Sequence, residues 1–195
     1  MSANKRSGMD AVVIGASAGG IEALGVLLPA LPRDFSLPVA VVLHVPPDRR
    51  SLLVEIFAHR CALSLREPED KERVQPGVVY FAPPGYHLLF ENPGSFSLSV
   101  DDQVNHSRPS IDVLFESAAE SFGARLLAIL LSGSNADGAQ GIARVHAAGG
   151  GVAVQDPATA PSREMPEAGL RACPEAQVLD LGGLAQLLRG AGGAP

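Results

Sequence analysis

Cysteine is scarce in this chain: its 195 residues include only Cys61 and Cys173, far apart and in no Cys-x-x-Cys pair. That spacing excludes a disulfide framework and a zinc-finger-type pairing, and it suits a reducing compartment. Tryptophan is absent and aromatic residues make up only 5% of the chain. Charge is sparse as well, at 18% with a net value of −6. A negative surplus excludes non-specific attraction to nucleic acid or to an acidic membrane surface. Long apolar runs are lacking: the stretches 22–31, 37–47 and 124–131 are all shorter than the roughly 20 residues of a membrane span. The N-terminal Met1–Gly8 segment carries basic residues but no secretory apolar region. These absences predict a cytoplasmic domain with no direct membrane insertion. Apolar residues, by contrast, make up 46% of the chain, enough for a folded globule with a sizeable core. The composition predicts a flexible N-terminus over 1–10, a single domain over 11–190 and a frayed tail over 191–195.

The stretch that organises the rest is Ala11-Val-Val-Ile-Gly-Ala-Ser17-Ala-Gly-Gly20-Ile-Glu22. A β-branched run breaks into glycines before helical spacing begins, with Ala23, Leu24, Leu27, Leu28 and Leu31 predicting a helix that ends at Pro32. Leu37–Leu43 and Leu126–Leu131 are nearly continuous apolar runs, the pattern of strands buried on both faces. A helix is expected from about Ser51 to Arg60. Between Leu65 and Val100 the pairs Pro76-Gly77, Pro84-Gly85 and Pro93-Gly94 punctuate short strands at 78–82, 87–91 and 95–100, which reads as antiparallel structure. Helix returns after Ser110, a candidate N-cap, and again at 139–148. A strand at 151–155, a Pro-rich loop from Asp156 to Pro166, a short strand near 178–179 and a helix at 184–188 complete the chain. The fold class is α/β: a mostly parallel, doubly wound sheet with helices on both faces and an appended antiparallel hairpin.

Gly15-Ala-Ser17-Ala-Gly19 fits the Gly-x-Ser-x-Gly elbow that exposes a nucleophilic serine at a strand–helix turn. Glycine-rich turns of this kind also bind phosphate, but the middle glycine of Gly-x-Gly-x-x-Gly and a Walker lysine are both missing, which disfavours nucleotide binding. Ser17, His44 and Asp137 each sit just after a separate expected strand, Asp137 in the loop that follows Leu131, and a parallel sheet brings such ends to one edge. They are the three residue types of a serine-hydrolase triad: nucleophile, base and orienting acid. Each also has a structural reading, His44 as a strand-end residue and Asp137 as a cap or turn residue, and Asp156 is a rival orienter. His59, His87 and His146 are expected in surface or packing roles. His106 is expected at the rim beside Arg108. Arg49, Arg50, Arg108 and Arg163 lie in loops expected near this edge and are candidates for contacting an acidic substrate, or are scattered surface arginines.

Taken in order, Ile14-Gly-Ala-Ser17-Ala-Gly-Gly20, His44-Val-Pro46, Glu72-Arg-Val-Gln-Pro-Gly77, Tyr80-Phe-Ala-Pro83, Arg108-Pro-Ser-Ile-Asp-Val-Leu-Phe115 and Leu131-Ser-Gly133…Asp137-Gly138 resemble the catalytic domain of the bacterial chemotaxis protein-glutamate methylesterase (CheB) family, over about residues 11–188. The resemblance implies a serine esterase that removes methyl groups from glutamate γ-methyl esters on chemoreceptors and often deamidates receptor glutamines. It places the nucleophile on Ser17, the base on His44 and the acid on Asp137. Backbone oxyanion donors fall at Ser134 and Ala18, and Met165 of the motif Glu164-Met165-Pro166 falls in the substrate region. No metal or organic cofactor is implied. The implied partners are the cytoplasmic helices of methyl-accepting chemoreceptors and other proteins of a chemosensory array. Several positions depart from the family pattern. With the first core strand starting about ten residues in, the receiver domain of full-length members is expected to be missing, and Ala18 stands where the best-known members have threonine. The loop Gly-Met-Gly-x-Asp-Gly reads Gly133-Ser-Asn-Ala-Asp-Gly138, and Glu164 stands where the family has glycine. A non-catalytic scaffold of the same family is the rival reading.

Overall fold

The computed structural model describes residues 8–45, 51–91 and 94–192. Its centre is β1 (Ala11–Ala16), all six residues of which are buried. Val12, Val13 and Ile14 are β-branched and fit a pleated surface packed on both sides. After a left-handed Gly19 the chain enters α1 (Gly20–Leu27), followed by a short 3₁₀ turn to Ala30. The predicted helix is therefore cut short and tightened at Pro29. The chain returns as β2 (Val39–Leu43), runs through α2 (Leu53–Phe57) and adds β3 (Ser64–Arg66) and β4 (Val78–Phe81).

A hairpin, β5 (His87–Glu91) with β6 (Ser95–Ser99), leads to α3 (Ile111–Phe122), β7 (Leu126–Leu130) and α4 (Ala139–Ala147). Next come β8 (Gly151–Gln155), α5 (Glu164–Ala172), β9 (Gln177–Leu179) and α6 (Leu181–Ala191). Seven strands form one sheet in the order β3-β4-β2-β1-β7-β8-β9, with every pairing parallel. The two hairpin strands pair antiparallel as a sheet of their own.

Alternate strand residues feed two cores, which is why the strand sequences read as unbroken apolar runs. Val13, Val42, Tyr80 and Leu130 pack with α3, α4 and the hairpin on one face. Val12, Ile14, Val41 and Ile129 pack with α1, α2 and α6 on the other. The expected antiparallel region is thus corrected in part. The strand at 78–81 is a parallel member of the main sheet, and β3 joins it at the edge. The two strands that do form a hairpin lie over α3, where Phe90 stacks edge-on against Phe122 with centroids 5.0 Å apart. The Pro-rich loop is also shorter than expected, because α5 starts at Glu164. Pro166 sits in its first turn, where no intrahelical N–H is needed. Among the described residues no helix is long and apolar enough to cross a membrane.

β1 has β2 on one side and β7 on the other, and the helices that follow β1 and β7 lie on opposite faces. The strand order reverses here and opens a crevice at the carboxyl ends of β1 and β7, the usual ligand position in open parallel sheets. Gly138 closes that crevice with φ 91°, and a Cβ there would lie 2.6 Å from Leu130 Cδ1 and 2.7 Å from Ile111 Cγ2. Gly138→Ala therefore combines left-handed strain with overpacking. A loss of about 2–4 kcal/mol is expected, read as a lowered urea midpoint at unchanged m-value.

Candidate active site

Three adjacent strand ends position the polar residues. The Ser17 N–H donates to the Ser132 carbonyl at 2.9 Å, and the His44 N–H donates to the Ala16 carbonyl at 3.1 Å. Residues just past β1, β2 and β7 are therefore laced into one rim. Across it, His44 Nε2 lies 2.8 Å from Asp137 Oδ2, with the His44 side chain 13% exposed and Asp137 fully buried.

Asp137 sits at the amino end of α3. Its Oδ2 also accepts the Ile111 N–H at 2.7 Å. Its Oδ1 accepts from the Ser110 hydroxyl at 2.8 Å, Asn105 Nδ2 at 2.8 Å, the Asp112 N–H at 3.1 Å and its neighbour Gly138 N–H at 3.1 Å. Asp137 thus caps α3, a helix from a distant part of the chain, and not α4, which it immediately precedes. Ser110, expected to cap α3 with its own side chain, instead directs its hydroxyl at Asp137. Burial pushes the Asp137 carboxyl up, but hydrogen bonds from His44, Ile111, Asn105 and Ser110 outweigh it and hold the pKa below the ordinary value. Asp112 behaves oppositely. Burial and the Asp137 charge push its carboxyl up against the Gly141 N–H and Asn105 amide that it accepts.

The imidazole hydrogen-bonds Asp137 through Nε2, so Nδ1 is the nitrogen left at the mouth, where the Asn135 amide lies 3.5 Å away. Ser17 is half-buried at the same rim. Among the described residues no hydrogen bond joins its hydroxyl to His44, a gap common in unliganded sites, where catalytic contacts tighten only on binding.

The two expected backbone donors are oriented by their own peptide planes. The Ser17 carbonyl accepts the Gly20 N–H at 2.8 Å, and the Gly133 carbonyl accepts the Met165 N–H at 2.9 Å. In a planar trans peptide the N–H points opposite to the C=O. The Ala18 and Ser134 N–H groups are therefore turned away from α1 and α5 respectively, and neither donates to another described residue. Ser132 holds both loops: its hydroxyl donates to the Ala18 carbonyl at 2.7 Å and accepts the Ser162 N–H at 2.9 Å.

The remaining candidates divide. Arg108 lines a cleft of about 90 Å³ together with His44, Gln103 and His106, and its Nη1 is anchored to the carbonyls of Val100 and Asp101 at 2.8 and 3.0 Å. Arg49 and Arg50 lie outside the described residues. Arg163 pairs on the surface with Glu167 at 3.1 Å. Met165 is corrected. It is fully buried, and a Cβ at residue 133 would strike its Cε at 2.5 Å, so it packs beneath the Gly133 loop where substrate cannot reach it. Four residues were missed as parts of the site: Asn105, Asn135, Ser132 and His87. His87, expected in a surface or packing role, is 2% exposed and accepts the Ser110 N–H on Nδ1 at 3.1 Å, with Nε2 donating to the Asp102 carbonyl at 3.0 Å.

The model of the CheB methylesterase family matches residues 12–188. This chain belongs to that family. It is 43% identical over 178 residues to a putative protein-glutamate methylesterase/protein-glutamine glutaminase of Leptospira interrogans, covering 91% of this chain and 92% of that protein. It is 36% identical over 159 residues to the protein-glutamate methylesterase/protein-glutamine glutaminase of Thermotoga maritima, of which it covers 46%. The crystal structure of the Thermotoga maritima CheB methylesterase catalytic domain superposes with a TM-score of 0.88 at 33% identity, over 93% of this chain and 98% of that one.

The pH dependence of stability follows from the Asp137 carboxylate. Its folded pKa lies below its unfolded value of about 3.9. Its contribution is therefore complete above that pH and is lost as the pH falls through the folded value. Asp112, with a raised pKa, is relieved by protonation and partly offsets this. Denaturant melts should show wild-type stability falling steeply below about pH 4. In Asp137→Asn that acid limb should flatten, and stability at neutral pH should drop by about 2–4 kcal/mol as buried donors face an amide.

Proposed function

We propose that the chain is a serine esterase that hydrolyses glutamate γ-methyl esters on the cytoplasmic helices of methyl-accepting chemoreceptors, releasing methanol, and that it deamidates glutamine with the same machinery. The observation that carries this reading is the 2.8 Å contact between His44 Nε2 and the buried Asp137 carboxylate, at the strand end beside Ser17. Membership of the methylesterase family supports the same chemistry.

Ser17 Oγ attacks the ester carbonyl carbon while His44 Nδ1 takes the hydroxyl proton. The imidazolium is stabilised by Asp137, which stays ionised because its pKa is held low. The proton passes to the departing methoxide and methanol leaves. Water, deprotonated by the same nitrogen, then cleaves the acyl-enzyme to glutamate and free Ser17. In deamidation the proton goes to departing ammonia instead. The Ala18 and Ser134 N–H groups receive the oxyanion, and removal of one such donor costs ~10²–10³ in rate. A side-chain change at residue 134 leaves a backbone donor in place. No step calls for a metal or an organic cofactor. Arg108 gives the cleft beside His44 cationic character toward an acidic receptor helix. The setting is the cytoplasm, where those helices lie.

The gap between Ser17 and His44 is what a scaffold that has lost catalysis would also show, and one experiment separates the two readings. Ser17→Ala should retain the melting profile and lose methanol release from methylated receptor by at least ~10³ in kcat/KM, with His44→Ala comparable and the double variant little worse. Wild-type protein that releases no methanol and resists a serine-directed organophosphonate is a scaffold. Undiminished release by Ser17→Ala overturns the serine mechanism.

A further inference from the structure

Away from the crevice, the far ends of α4 and α5 bring together three metal-ligating side chains from different parts of the chain. His146 lies in the last turn of α4, Cys173 is the C-cap of α5, and Glu175 follows it across Pro174. One ligand atom from each lies within 4.8 Å of the other two. Cys173 Sγ is 3.8 Å from Glu175 Oε2. We propose that His146, Cys173 and Glu175 bind a single Zn²⁺ ion that clamps the carboxyl ends of α4 and α5 together.

The donor set argues for the ion. A thiolate, an imidazole and a carboxylate suit Zn²⁺ and exclude Mg²⁺ and Ca²⁺, which take oxygen ligands. Zinc bonds of about 2.3 Å to sulfur and about 2.0–2.2 Å to nitrogen and oxygen place tetrahedral ligand atoms roughly 3.4–3.6 Å apart. From a present spacing of up to 4.8 Å, this needs a contraction of at most roughly 1.2–1.4 Å, within reach of side-chain rotation because His146 and Glu175 are exposed while Cys173 is fixed in the core at 2% exposure. Pro174 stiffens the link between the two α5-side ligands. Thiolate and carboxylate together neutralise the ion, and two helix carboxyl ends converge on it with the sign of dipole that favours a cation. Coordination releases one proton, from the thiol, to solvent, and a water completes the tetrahedron on the exposed side. Spacing along the chain concealed the group, since the histidine belongs to the preceding helix and only folding brings it to the cysteine.

Co²⁺ reports such a site without reference to enzymatic activity. Tag-free protein of this sequence, stripped with chelator and titrated with Co²⁺, should develop a near-ultraviolet thiolate-to-cobalt charge-transfer band and visible ligand-field bands that Zn²⁺ bleaches. Cys173→Ser should abolish the charge-transfer band. His146→Ala and Glu175→Gln, both at exposed positions that the fold does not depend on, should each weaken Co²⁺ binding about tenfold or more. Zn²⁺ should raise the melting temperature of wild type and not of His146→Ala. The proposal is overturned if no charge-transfer band forms at millimolar Co²⁺, if the band survives Cys173→Ser and is lost in Cys61→Ser, or if His146→Ala binds like wild type.

Discussion

A carboxylate taken out of water costs several kcal/mol unless its lone pairs are met by donors. The Asp137 side chain is met by six, from His44, Asn105, Ser110, Ile111, Asp112 and Gly138. These donors come from the end of β2, the loop before α3, the first turn of α3 and the start of α4. The charge is tolerable only when all four are in place, so the site and the local fold form together. The amino end of a 12-residue helix adds favourable dipole potential at the same point. The anion thereby kept at neutral pH is the one on which the proposed mechanism relies to stabilise the imidazolium of His44. Stability and chemistry draw on one interaction.

The surroundings of α3 explain how that anion is held so close to the sheet. A Cβ on Gly15 of β1 would lie 2.3 Å from Ile111 Cγ2, so the absent side chain lets the first residue of α3 rest directly on the central strand. His87 supports the same turn from behind by accepting the Ser110 N–H, an otherwise unpaired donor at a helix start. Asn105 donates from one amide to both Asp112 and Asp137, placing a neutral group between two carboxylates whose pKa values burial and neighbours push in opposite directions. On the other wall, Ser132 ties the Ala18 carbonyl to the 162 loop, so the elbow and the Gly133 loop share one support.

What could be read from the residues follows from which forces are local. Val12–Ile14, Val39–Leu43 and Leu126–Leu130 declared themselves because strands buried on both faces must be apolar throughout. From them the convergence of Ser17, His44 and Asp137 followed as a property of any parallel sheet. β4 misled because its flanking Pro-Gly pairs are shared by hairpins and by strand–turn connections, and the choice between them is made by Val79 and Tyr80 pairing with β2, far away in the chain. Pro166 looked like loop because proline stops a helix interior, yet the first turn of α5 accepts it. Asn105, His87 and Ser132 carry no local pattern at all. Each works by meeting a backbone or carboxylate atom from a remote segment, and only the folded chain supplies that partner. Met165 differs for the converse reason: the family motif pointed it at the substrate region, but its side chain turns into the core.

The use of the two imidazole nitrogens follows from the same architecture. His44 leaves β2 beside the end of β1, while its carboxylate partner lies deeper, at the start of α3. From the histidine Cβ the distal nitrogen, Nε2, reaches farther than Nδ1, so it is the one that spans the depth to Asp137. The proximal Nδ1 is left on the side of Asn135, whose amide lies 3.5 Å away, and it is the nitrogen to which the proposed mechanism assigns the Ser17 proton. In the trypsin-type arrangement the assignment is reversed, with Nδ1 held by the carboxylate and Nε2 facing the serine. The chemistry is indifferent to which nitrogen accepts the proton, provided the other is held by an anion. What the proposed mechanism asks of the fold is the depth of the carboxylate relative to Ser17, and the capping of α3 by a loop that follows β7 sets that depth.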